Sequence, residues 1–149
     1  VFVGNSRLDV DFLQRASRLF PDWNFHVIGP LGRLPPARNI IAYGELPFTD
    51  TVPLLKFADI GLQTLAYVPG AECFTDSLKM IQYQYCGLPV IAPAYLRSER
   101  LGIYYYKIGD DDSIKAALLA AKAADRSEIE KPDVRSWDEL INIFNSTLA

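Results

Sequence analysis

Short apolar runs alternate along the chain with longer segments in which apolar residues recur every three or four positions. The first pattern is typical of buried β-strands and the second of amphipathic helices. Strands are predicted over 1–3, 24–28, 40–43, 60–64, 90–92 and 103–106. Helices are predicted from Asp9 or Asp11 to Phe20, from Thr49 or Asp50 to Ala58, from Asp76 to Cys86, from Asp111 or Asp112 to Ala124, and from Trp137 to Leu148.

The order of these elements indicates an α/β protein. Strands alternate with helices, and the strands are apolar throughout, which is typical of parallel sheets covered on both faces. We therefore expect a Rossmann-like, doubly wound parallel sheet of about six strands with helices on both faces. A chain of 149 residues suits one domain over residues 1–149. Because it opens inside an apolar run at Val1 rather than with Met, we expect it to be a segment of a longer protein.

Composition narrows the classes of partner. A formal net charge of −3 argues against nucleic acid, whose binding relies on basic patches. Cys73 and Cys86 form neither a metal-ligand pattern nor a disulfide framework, which favours free thiols in a reducing, cytoplasmic setting. No apolar run approaches the roughly 20 residues that span a bilayer. The net charge says little about small anionic ligands, which need only a few well-placed donors.

The most informative candidate site lies at the start of the third predicted helix. Open parallel sheets bind ligands beyond the carboxyl ends of their strands, and a helix amino terminus there offers free N–H groups to a phosphate. Lys79 in the first turn can reach the same anion. Gln82, one turn further along the same face, can bind a ribose hydroxyl. The alternative is an ordinary helix cap with a solvated lysine.

Other strand ends offer weaker candidates. Gly4 and Asn5 follow the first strand, where glycine would let the backbone approach a diphosphate, although a plain turn would look the same. Glu45 and Leu46 follow the third strand and can contact a ribose or a base edge; a solvated turn is the alternative. Tyr67, in a long loop, can close over a sugar or phosphate. Neither G-x-G-x-x-G nor G-x-x-x-x-G-K-[ST] occurs, which excludes the usual dinucleotide and P-loop signatures.

One segment carries a family resemblance. The run Lys79 to Pro93, KMIQYQYCGLPVIAP, resembles the C-terminal domain of GT-B glycosyltransferases, in which a helix ends in small residue–Gly–x–Pro–Val. Residues 2–4, 25–29 and 43–45 fall where that family has its first three strands. Within the family, residues 77–82 are most similar to the glucuronosyltransferases of bacterial exopolysaccharide (xanthan-type) assembly. The resemblance implies that Ser77, Leu78, Lys79 and Gln82 bind a UDP-sugar, with Tyr67 beside its phosphates.

The resemblance also implies an activity. The chain would be the donor-binding C-terminal half of a GT-B enzyme that moves a sugar, such as glucuronate, from a UDP-sugar to a saccharide or lipid-linked saccharide. Many retaining members carry two glutamates where this chain has Phe74 and Gln82, so an inverting enzyme is favoured. The resemblance implies no cofactor and no obligatory metal.

It further places the general base in an N-terminal acceptor domain outside this chain, so that no catalytic residue lies within it. The parent would be cytoplasmic, peripheral on the inner face of the membrane. Two alternatives stay open, a UDP-sugar 2-epimerase-like enzyme and a non-catalytic flavodoxin-like binding module.

Overall fold

A computed structural model describes residues 1–5, 7–73 and 77–147 of the chain. The strands are β1 (Phe2–Val3), β2 (Phe25–Ile28), β3 (Ile40–Gly44), β4 (Gly61–Leu62), β5 (Val90–Pro93) and β6 (Ile103–Tyr106). The helices are α1 (Val10–Leu19), α2 (Phe48–Lys56), α3 (Leu78–Tyr85), α4 (Asp111–Lys122) and α5 (Trp137–Thr147), with short 3-10 turns at Ala71–Cys73 and Arg126–Glu128. The predicted order of elements is confirmed.

Helix boundaries follow local capping chemistry. Asp9 caps α1, as one of the two predicted options, because its carboxylate accepts the Phe12 N–H at 3.0 Å. The predicted caps of α4, Asp111 or Asp112, are wrong by one or two residues, since Asp110 accepts a first-turn N–H, that of Ser113. Gly109, at φ +75°, turns the chain just before this position.

Two further helix starts differ from expectation. The predicted caps of α2, Thr49 and Asp50, are wrong because the helix begins at Phe48 after Pro47, whose fixed φ suits an entering residue and whose missing N–H costs nothing there. The predicted start of α3, Asp76, lies outside the described residues, and Ser77 occupies the N-cap position.

The strands form two three-stranded parallel sheets, in the orders β1-β2-β3 and β4-β5-β6. Parallel strands are therefore confirmed, with helical crossovers from β1 to β2 and from β4 to β5, although the expected single sheet of about six strands appears as two. The edge strands β1 and β4, at which the two sheets meet, have only two residues each. They nevertheless touch, because the Leu62 N–H donates to the Val1 carbonyl at 2.8 Å.

Helices cover both sides of these strands. Successive strand residues point to opposite faces, and neighbours such as Val27 and Ile28, or Ile91 and Val90, lie in different apolar clusters. One cluster contains the buried residues of α1 and α4, and the other those of α2 and α3. The strand ends are thus held between two packed layers.

Helix α5 stands apart from both clusters. Its apolar side chains are exposed, Trp137 at 81% and Phe144 at 64%. Within the described ranges, no helix is both long enough and apolar enough to cross a membrane.

Candidate functional site

The carboxyl ends of β1, β2 and β3 face the start of α3 across a cleft of about 500 Å³. Residues singled out from sequence line it: Gly4, Asn5, Glu45, Leu46, Ser77, Leu78, Lys79 and Gln82. The edge from which the ligand site was expected is therefore concave, as small-molecule sites are. Whether these residues bind a nucleotide sugar stays a prediction.

Lys79 gives the cleft its electrostatic character. Its ammonium lies 4.3 Å from the centre of the Phe2 ring, and no hydrogen bond or salt bridge to a described residue engages it. Burial, followed by repulsion from the nearby Arg7 guanidinium, lowers the pKa of Lys79 from 10.5 to about 8. A partly buried cation with no counter-charge among the described residues is unfavourable, and an anionic ligand would relieve that cost.

One glycine leaves room for Lys79, and a second lets two strand ends approach each other. A Cβ on Gly4 would lie 3.3 Å from the Lys79 ammonium and 3.2 Å from the Phe2 ring. Gly29 has φ +133°, and a Cβ there would lie 1.7 Å from the Gly4 carbonyl oxygen. The Gly29 N–H donates to the Gly44 carbonyl at 2.7 Å, so these residues tie three strand ends together at the floor of the cleft.

The start of α3 is left open toward the cleft. Ser77 has extended backbone angles but makes no side-chain hydrogen bond to the helix, and its hydroxyl instead donates to the carboxamide oxygen of the buried Gln63 at 3.1 Å. Ser77 therefore does not supply the side-chain cap that the first-turn N–H groups of a helix usually receive from the N-cap residue. Such a helix start, with a partial positive charge, suits a phosphate.

Tyr83 anchors α3 against the strands. Its buried hydroxyl accepts the Val3 N–H at 3.1 Å and donates to the Leu62 carbonyl at 3.2 Å. Its ring occupies the space that a Cβ on Gly61 would need, only 2.5 Å away. Sequence reasoning missed this contact, although a glycine inside an apolar strand signals close approach by another group. Because Tyr83 follows Lys79 by one helical turn, it fixes the height of Lys79 above β1.

Tyr67 lies outside the cleft. Its ring meets Tyr95 edge-on at 5.2 Å, and its hydroxyl donates to Glu72 at 3.1 Å. These two contacts hold the ring in the loop after β4, exposed by 53%. The structure does not bring Tyr67 together with the other candidates, and its contact with phosphate stays a prediction.

The remaining candidates differ in exposure. Glu45 is exposed, and Leu46 is half-buried against the α2–α3 cluster. The half-buried Gln82 turns its side chain to the cleft. In the part of the chain that the structure describes, no group of three metal-ligating side chains lies close enough together to hold a metal ion.

Arg7 is a cleft residue that the sequence analysis missed. It lies three positions beyond Gly4 in the loop after β1, and a basic residue so close to a strand-ending glycine is the signal that could have identified it. Together with Lys79 it makes this end of the cleft positive, an arrangement suited to a ligand with more than one negative charge.

Comparison with known proteins tests the family resemblance that the sequence indicated. No protein-family model matches the chain. A UDP-glucuronate:glycolipid 2-beta-glucuronosyltransferase from Xanthomonas campestris pv. campestris is 35% identical over 129 residues, 85% of this chain and 32% of the relative. The predicted resemblance to bacterial glucuronosyltransferases is confirmed. The chain spans about a third of the length of the glucuronosyltransferase that it matches.

Proposed function

We propose that this chain is the donor-binding domain of a glycosyltransferase that moves glucuronate from UDP-glucuronate to a saccharide or glycolipid acceptor. The observation that carries the proposal is the partly buried Lys79 ammonium, which lies between the start of α3 and the end of β1 without a counter-charge from the described residues. The similarity to a glucuronosyltransferase over most of the chain supports it.

The cleft suggests how UDP would lie. The diphosphate would bind between Lys79, the backbone at Gly4 and the first turn of α3. Gln82, one turn further along α3, would reach the ribose, and Glu45 with Leu46 would border the base. A volume of about 500 Å³ falls within the range of roughly 300–1,000 Å³ of small-molecule sites.

We propose an inverting transfer without an obligatory metal. A base would deprotonate the acceptor hydroxyl as it attacks the anomeric carbon, and the bond to UDP would break with its electrons on the diphosphate. Lys79 and the α3 N–H groups would stabilise that charge, which is the task a metal performs in other phosphate sites. The relative's name specifies a β-linked product, the anomer that inversion of an α-linked UDP-sugar yields.

The parent protein would have a second half. The matched relative is about three times as long as this chain, and we propose that an N-terminal acceptor domain supplies the general base. In that arrangement the two sheets, joined through Val1 and Leu62, act as one Rossmann-like sheet of a GT-B fold. We place the parent in the cytoplasm, peripheral on the inner membrane face, where a lipid-linked acceptor would be reached.

Replacing Lys79 tests the proposal. The change Lys79→Met removes the charge but keeps the length of the side chain. By calorimetry it should weaken UDP binding by about 1.5–3 kcal/mol, the loss of one charge-assisted hydrogen bond. Thermal stability should not fall at pH 7, because the variant removes a partly buried charge that no described residue compensates.

Lys115→Ala is the matched control, since Lys115 is exposed on α4 and should leave UDP affinity unchanged. Equal UDP affinity for wild type and Lys79→Met, or no UDP binding by the wild-type chain, would overturn the proposed site.

A further inference from the structure

A second, smaller cavity adjoins the donor cleft. It has a volume of about 200 Å³ and lies between the start of α1 and the loop Pro30–Leu34 that follows β2. Asn5 and Arg7 line both this side cavity and the donor cleft. Its volume is below that of a typical independent ligand site, so it is better suited to one part of a ligand whose remainder occupies the cleft.

The side cavity is positively charged. Arg7 and Arg33 line it, and none of its lining residues is acidic. The nearest carboxylate in sequence, Asp9, is engaged elsewhere, since it accepts from the Phe12 N–H and from the Tyr106 hydroxyl, each at 3.0 Å. A planar guanidinium matches a carboxylate group through paired hydrogen bonds.

The backbone of Arg7 is held in place between the donor cleft and the side cavity. Its carbonyl accepts the Ala66 N–H at 2.7 Å, and Leu8 pairs with Leu65 beside it. Its φ of +62° is the one positive value for a residue other than glycine in the described part of the chain. Strained conformations of this kind are often retained at ligand sites.

We propose that the side cavity is a carboxylate subsite for the sugar of the donor, in which Arg7 and Arg33 select a uronic acid over a neutral hexose. The inference rests on the proposed function, because the sugar reaches this cavity only when the diphosphate lies between Lys79 and the Gly4–Asn5 backbone. From there the distal phosphate faces the shared wall at Asn5 and Arg7. A hexose attached to it extends over that wall, and its C6 carboxylate meets the two arginines.

The test compares three ligands, UDP, UDP-glucose and UDP-glucuronate, by calorimetric titration of the 149-residue chain. The wild-type chain should bind UDP-glucuronate more tightly than UDP-glucose. Arg33→Gln should weaken UDP-glucuronate binding roughly tenfold, as expected for one charge-assisted contact, and leave UDP and UDP-glucose unchanged. Arg7→Gln should weaken binding of all three ligands, because Arg7 also lines the donor cleft, but the loss should be largest for UDP-glucuronate and partly recovered in Arg7→Lys.

Arg38→Gln is the matched control, because Arg38 is exposed in the same inter-strand segment but does not line the cavity. Arg33 is also exposed, so its variant tests the proposal even if Arg7 variants fail to fold.

Equal wild-type affinity for UDP-glucose and UDP-glucuronate would overturn the inference, and so would equal losses for all three ligands in both arginine variants. Either result would leave Lys79-dependent UDP binding, and with it the proposed function, intact. A wild-type chain that binds none of the three ligands would refute both.

Discussion

The protonation state of Lys79 links its burial to its proposed role. Its pKa of about 8 lies well below the 10.5 of a solvated lysine, so the folded chain binds fewer protons than the unfolded chain between these two values. By linkage, the stability contributed by this group rises with pH across that window, and at pH 7 the charged form weakens the fold. A bound diphosphate reverses the sign of the local field and favours the ammonium.

This residue predicts a pH profile for ligand binding. UDP affinity of the wild-type chain should fall as pH rises through about 8, because the free protein then loses the proton that the diphosphate requires. Lys79→Met should lack this fall. Titration at several pH values between about 7 and 9.5 measures it, and parallel profiles for the two proteins would contradict the assignment.

Gly29 supports the cleft through its backbone. Gly29→Ala should destabilise the chain by about 2–4 kcal/mol, since it adds a strained φ and a collision with the Gly4 carbonyl. Gly32→Ala is the control from the same loop, because a Cβ there meets nothing within 4 Å. Urea denaturation should give a lower unfolding midpoint for Gly29→Ala than for Gly32→Ala. Similar midpoints would contradict the role assigned to Gly29 at the floor of the cleft.

At the level of elements, the two ends of α3 have different roles: its start borders the cleft, and Tyr83 near its end anchors it to the strands. At its start, the Ser77 hydroxyl donates to Gln63 and does not cap the helix. Near its end, the Tyr83 hydroxyl bonds to the backbone of both β1 and β4, which have only two residues each. The end of α3 therefore determines how far its start stands from Gly4. This division explains how an eight-residue helix can carry a candidate site.

Removing the Tyr83 hydroxyl tests that anchor. Tyr83→Phe should lower the free energy of unfolding by about 1–3 kcal/mol, because the Val3 N–H and the Leu62 carbonyl lose their buried partner. Tyr85→Phe on the same helix, where the side chain is 59% exposed, should change stability by less than about 0.5 kcal/mol. Equal unfolding midpoints for the two variants would show that the hydroxyl bridge contributes nothing.

At the scale of the whole molecule, the strands are packed on both faces. The α1–α4 cluster and the α2–α3 cluster leave the carboxyl edge as the place where polar groups converge. The chain spans about a third of its matched relative, and a general base would come from outside it.

This arrangement predicts that activity requires the longer protein, while donor binding depends on Lys79 in this chain. The longer protein containing this chain should transfer glucuronate from UDP-glucuronate to a lipid-linked saccharide, and EDTA should not abolish the transfer. Lys79→Met should lower kcat/KM by roughly 100-fold or more, the cost of losing one donor to a developing negative charge. Product analysis with labelled donor measures this. Absence of product, or activity lost in EDTA and restored by Mg²⁺, would contradict the proposal.

Much of the cleft could be predicted because its residues follow strand ends or begin a helix. Gly4, Glu45 and Lys79 occupy such positions, and parallel topology alone brings strand ends to one edge. Arg7, Tyr83 and the position of Tyr67 could not be obtained in this way. Each depends on contacts between residues far apart in sequence, such as the bond from Tyr83 to Val3.

The sequence by itself determined the order of helices and strands, because apolar periodicity and capping residues act over a few positions. Only the tertiary structure decided that the sheet appears in two halves, that the Ser77 hydroxyl turns away from its helix, and that the Lys79 ammonium is left without a carboxylate among the described residues. The physical reason is that burial, and with it the cost of an uncompensated charge, is a property of neighbours that meet only when the chain folds.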